Sequence, residues 1–189
     1  MINHQDIIET IDMVEKEHFD VRTITMGISL LPCIREDART TADLVYDRIC
    51  KKAEKIVKVA EDLGMEYGIP IINKRVSITP ASLLTSSFCG KETILAKALD
   101  DAAKTVGIDF LGGYSALVYK GFSKGDEILI KSIPEALCST ERVCSSVGVA
   151  TTKAGINMDA VKLMGEVICD TAKMSADNNS MGCAKLVVF

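Results

Sequence analysis

Along the chain, short runs in which apolar and polar residues alternate are separated by longer runs in which apolar residues return every three or four positions. The first pattern is that of a strand with two unlike faces, the second that of a helix packed along one side. Residues 21–30 place Arg22, Ile24, Met26, Ile28 and Leu30 on one strand face and Thr23, Thr25, Gly27 and Ser29 on the other. Residues 69–80 do the same, with Val76 and Ile78 set against Arg75, Ser77 and Thr79. A third strand is expected over 108–119, with the paired glycines Gly112 and Gly113 inside it. A fourth, 142–151, alternates Val143, Ser145, Val147 and Val149 with Cys144, Ser146, Gly148 and Ala150, and a fifth spans 184–189.

The helical runs fall between these strands. Residues 3–18 carry Ile7, Ile8, Ile11 and Val14 at helical spacing. A long helix is expected over 36–63, with Gly64 as its left-handed terminator, and another over 91–106, ended by Gly107. Pro80 and residues 81–87 form a turn or short helix. Residues 121–125 read as a loop, Asp126 as the cap of a helix running toward Leu137 and interrupted at Pro134. Asn157 caps a last helix that gives out near Ser175, before a turn over 177–180.

Five strands alternating with helices imply consecutive βα units and a parallel sheet. A flat, doubly wound sheet would bury both faces of its central strands and make both apolar. The recurring Thr, Gly and Ser face instead favours a curved sheet or partial barrel, with helices outside and small polar residues inside. The fold class expected is therefore α/β, five βα units forming a curved parallel sheet in a single domain over 1–189. The last strand ends the sequence as a bare apolar edge, for which a second polypeptide, a symmetry mate or a C-terminal half is the expected cover.

Composition narrows the function classes. Of the 189 residues 48% are hydrophobic, enough for one sizeable core. Acidic residues outnumber basic ones, 26 to 22, and the signs are interspersed, which argues against nucleic acid or an anionic membrane as partner. No apolar run approaches a membrane span and no leader pattern opens the chain, so the expected location is the cytoplasm. The seven cysteines contain no C-x-x-C pair and read as reduced, mostly buried thiols. His4 and His18 are the two histidines, and their placement on the first helix suits solvent better than a metal.

Common phosphate-cradling and hydrolase signatures are absent. What remains is the polar strand face. Arg75 can hold a carboxylate or phosphate in bidentate fashion, with Ser77, Thr79, Ser29 and Ser115 donating hydroxyls; pairing with an internal acidic side chain is the simpler account of an inward Arg. Gly112 and Gly113 mark a bulge, a sharp bend or the close approach of a ligand. Cys144, beside Ser145 and Ser146, has no neighbouring histidine in sequence to activate it, and a structural thiol is the simpler reading. No pattern identifies a cofactor.

The segments VRTITMGIS (21–29), GIPIINKRVSITP (68–80), DFLGGYSALV (109–118), KGDEILI (124–130) and KAGINM (153–158) together resemble uncharacterised protein family 0210, also called domain of unknown function 711. The resemblance runs the length of the chain and matches the N-terminal part of the longer family members. It implies a ten-stranded barrel like that of pyruvate formate-lyase-like proteins, of which five strands would be one half, and it implies a homodimer. It does not import glycyl-radical chemistry, since no adjacent Cys-Cys pair occurs and the radical segment would lie outside this chain. The resemblance also implies a neighbouring gene for a small ACT-type regulatory domain, and with it an amino-acid-sensing context as an expectation. Two expectations follow: binding of a small anionic metabolite in a barrel lumen, with or without a reaction, or a non-catalytic assembly or regulatory protein acting through its strand edge and dimer surface.

Overall fold

In the computed structural model the described residues are 4–16, 22–88 and 91–189. The expectations for Asn3, the Val14 side chain, His18, Val21 and Cys89 fall outside them. Seven helices are seen among these residues: α1 (His4–Glu15), α2 (Ala38–Ala53), α3 (Ile56–Tyr67), α4 (Ala81–Thr85), α5 (Glu92–Val106), α6 (Lys124–Ser139) and α7 (Met158–Met174). The strands are β1 (Thr23–Ile28), β2 (Asn73–Ile78), β3 (Phe110–Leu117), β4 (Val143–Gly148), the short pair β5 (Ala150–Thr151) and β6 (Gly155–Ile156), and β7 (Leu186–Val188).

Five of the strands form one sheet in the order β1-β2-β3-β4-β7, every neighbouring pair parallel. Strand order thus follows chain order, and right-handed crossovers between such neighbours keep their helices on a single face. The packing agrees, since α2 lies against α5, α5 against α6 and α6 against α7 in one continuous layer. On the side facing that layer, Val76, Leu111, Tyr114, Ala116, Val143 and Val147 are buried, together with Val45 and Ile49 of α2, Leu95 and Leu99 of α5, and Ile130, Ile133 and Leu137 of α6. Tyr114 keeps its hydroxyl satisfied through Ser132 of α6 at 2.7 Å, and burial pushes its phenol pKa up. Ser145 also lies within the buried layer, and among the described residues its hydroxyl has no hydrogen-bond partner.

The connections are held by specific bonds. Asp100 of α5 accepts from the amides of Glu141 (2.9 Å) and Arg142 (2.7 Å) just before β4, while Arg142 returns its guanidinium to the carbonyls of Ala103 and Ile108. Those bonds and Lys104 beside it lower the Asp100 pKa against the opposing effect of burial. The clasp fixes where the chain leaves α5 and where β4 begins.

Four expectations need correction. The long helix over 36–63 is two helices, broken at 54–55, and Gly64 does not end the second. Gly64 sits inside α3, where a Cβ would come within 3.1 Å of the Ile69 carbonyl, so its smallness lets the following segment fold back on the helix. The left-handed terminator is Gly68, with φ of 69°. Pro134 does not interrupt α6, because Ile133, Ala136 and Leu137 around it are buried and their packing holds the helix through the missing N–H. That helix is capped by Ser123, which accepts from the Asp126 amide while Asp126 accepts from the Ser123 amide; Asp126 is the third helical residue of a capping box. Finally, the strand expected over 142–151 ends at Gly148, because the Val149 amide turns to the Phe189 carbonyl (2.6 Å) and the chain enters the β5–β6 hairpin.

Candidate functional site on the open sheet face

The face of the sheet turned away from the helices carries the polar positions. Register places Thr25, Arg75 and Phe110 in one row across β1, β2 and β3, and Gly27, Ser77, Gly112 and Cys144 in the next, reaching β4. A concavity of about 400 Å³ opens over these rows, lined by Thr25, Arg75, Val76, Ser77, Phe110, Gly112, Cys144 and Ala184.

Arg75 is exposed, and its guanidinium lies over the Phe110 ring at 5.3 Å from the centroid. Such stacking desolvates one side of the cation and contributes about 0.5–1 kcal/mol at an exposed position. Among the described residues the Arg75 guanidinium forms no ion pair. Its strand neighbour Lys74 points the other way, 4.0 Å from Asp109, whose carboxylate takes the Lys74 amide at 2.7 Å. Alternation along β2 therefore separates a basic residue tied to the fold from one left to the open face.

Cys144 is half-buried at the floor of the concavity, and burial pushes its thiol pKa up, opposed by the charges of Lys185 and Arg75. Lys185 is itself committed to the fold: its ammonium donates to the carbonyls of Leu137 and Thr140 at the end of α6. Burial lowers the Lys185 pKa.

Of the residues singled out in the sequence, Arg75, Ser77 and Gly112 come together in this concavity. The others have different positions. The Thr79 hydroxyl accepts from the Leu30 amide at 3.1 Å and ties the exit of β1 to the end of β2. Ser115 is buried and donates to the Gly113 carbonyl at 3.3 Å. Ser29 lies exposed beyond β1, its carbonyl taking the Arg48 Nε at 2.7 Å.

The paired glycines separate into two roles. Gly113 has φ of 122° at a shift in the β3–β4 register, and a Cβ there would lie 2.4 Å from Ile78 Cγ1, so backbone and packing both demand glycine. Gly112 has no atom within 4 Å of the place a Cβ would occupy. Thr25, Phe110 and Ala184 were not singled out in the sequence, although Phe110 shares the alternation of Gly112 and Thr25 that of Gly27.

A family model described as "Uncharacterised ACR (DUF711)" matches residues 12–189, which include the whole five-stranded sheet. The chain belongs to the DUF711 family. Among its curated relatives, a UPF0210 protein of Thermoanaerobacter sp. (strain X514) is 59% identical over 186 residues, covering 97% of this chain and 41% of that protein. One of Listeria monocytogenes serotype 4a (strain HCC23) is 57% identical over 184 residues, with the same two shares, 97% and 41%. One of Lachnospira eligens is 54% identical over 192 residues, covering 100% of this chain and 42% of the relative. This DUF711 chain thus spans about two fifths of the length of the curated relatives it matches. Among its described residues no helix is long and apolar enough to cross a membrane.

Proposed function

We propose that this DUF711 chain binds a small anionic metabolite on the open face of its sheet, with Arg75 as the group that pairs with the anion. The observation that carries the reading is the setting of Arg75: exposed, stacked on Phe110, without an ion pair among the described residues, and beside a concavity of about 400 Å³. An arginine held on an aromatic ring with its N–H donors uncommitted is preorganised for a carboxylate or phosphate. Ser77 adds a hydroxyl from the same strand face.

In this reading the open face is one wall of a lumen. The remaining length of the full protein covers it, the two halves making a ten-stranded barrel, and the complete protein is a homodimer. Exposed Phe110, Leu117 and Val187 support such a covering layer, because it would remove their apolar area from water.

The test compares small molecules retained by full-length wild-type and Arg75→Ala proteins after incubation with a metabolite extract, read by mass spectrometry. An anion enriched on the wild type and lost from a variant of unchanged thermal stability is the expected result. The same retained set on both proteins would remove Arg75 from the site, and an unfolded variant would assign it to the fold instead.

A further inference from the structure

We propose, resting on the anion-binding reading above, that the ligand is a compact monocarboxylate, its carboxylate on Arg75 and its uncharged body laid along the row Gly27, Ser77, Gly112 and Cys144. Three observations lead there.

The first is charge. Among the described residues Arg75 is the one cation lining the concavity. The nearby Lys185 ammonium is spent on the carbonyls of Leu137 and Thr140, and Cys144, its pKa raised by burial, adds no negative charge at neutral pH. This wall of the lumen offers one positive charge and so matches a monoanion, whereas the second charge of a dianion would find no partner on it.

The second is the shape of the cation. Phe110 supports the Arg75 guanidinium from the side, and among the described residues no carbonyl or carboxylate takes its N–H groups. The fork stays available for two parallel bonds to one carboxylate, a geometry that discriminates more finely than charge alone.

The third is the floor. Gly27 and Gly112 lie in the same register row on either side of Ser77, neither has a positive φ, and neither has an atom within 4 Å of its missing Cβ. Nothing in the packing or backbone of this chain requires glycine at either place. Gly113, pressed on Ile78, and Gly148, with Leu117 Cδ2 at 3.1 Å from its would-be Cβ, show the opposite case in the same sheet. Two unneeded absences of a side chain, flanking a serine and ending at a thiol, leave a shallow floor for an uncharged chain of a few atoms. On this view Gly27 and Gly112 determine ligand size.

Calorimetric titration of the full-length protein with sodium acetate, butyrate, succinate and inorganic phosphate tests the proposal. Acetate and butyrate should bind, with succinate and phosphate at least about tenfold weaker. Gly112→Val should weaken butyrate by about tenfold or more and acetate by less than about threefold, since its branch meets only the ligand body. Gly112→Ala, with a smaller intrusion, should fall between it and the wild type, and both should keep the wild-type melting temperature. Tightest binding of phosphate or succinate would overturn the monocarboxylate assignment and leave the anion-binding reading standing. Binding of none of the four by the wild type, with an anion of another class retained from extract, would do the same. No anion from either source would sink both. A Gly112→Val protein that melts lower and binds all probes as before would show that protein, rather than ligand, fills the space.

Discussion

The two faces of the five-stranded sheet are built by the same strands in the same register, and they differ in nearly every other respect. Toward the helices, Val76, Leu111, Tyr114, Val143 and Val147 are buried with almost no exposure. One residue away along each strand, Thr25, Arg75, Ser77 and Phe110 are open to solvent. Period-two alternation lets each face be composed independently, so the helix side can carry the stability while the other side is free to hold uncommitted groups. The contrast also accounts for the adjacent glycines: Gly113 is demanded by the fold, and Gly112 by nothing within it.

The contrast can be broken or sharpened by paired substitutions. Leu111→Ala should cost about 2–5 kcal/mol of unfolding free energy by urea titration, as for other fully buried leucines. Its neighbour Phe110→Ala should cost under about 1 kcal/mol, near the value of the lost Arg75 stacking. Equal losses would mean that the faces share the work of folding. Gly113→Ala should cost roughly 2–4 kcal/mol from the positive φ and the clash with Ile78 together, whereas Gly112→Ala should be almost silent in the same measurement. A silent Gly113→Ala would remove the structural explanation of the bulge. An effect of opposite sign is expected at Ser145→Ala. Removing a buried hydroxyl with no partner should stabilise the chain by about 1 kcal/mol, visible as a raised urea midpoint with an unchanged slope. A loss there would point to a partner for that hydroxyl in solution.

Much of this arrangement could be read from the sequence. Alternation at 73–78 separated Val76 and Ile78 from Arg75 and Ser77, and the order of strands and helices gave the parallel sheet. Asn157 and Gly107 behave as the cap and terminator their residue types suggest. Misreadings arose where a local preference was overridden by packing. Gly64 looks like a terminator, but its role is to admit the Ile69 carbonyl; Pro134 looks like a breaker, but it lies in a helix held by buried neighbours. In the candidate site, Arg75 and Ser77 could be grouped because they share the alternation of β2, and Gly112 was marked by its place in a glycine pair. Cys144 and Ala184 join them only through the pairing of β3 with β4 and the return of the chain to β7, contacts between residues far apart in sequence that no local pattern carries. Thr79 and Ser115 share the polar composition, yet their hydroxyls serve the backbone.

The sequential strand order has a consequence for synthesis. As the chain emerges from its N-terminus, β2 finds β1 already made, β3 finds β2, and so on to β7, so no strand must be threaded between two that are already paired. Each addition closes only the stretch of chain between one strand and the next, which keeps the entropic cost of every step local and favours unit-by-unit folding during translation. The nascent sheet always offers one fresh edge, and each newly translated crossover helix arrives in time to shield the apolar side of the strand before it.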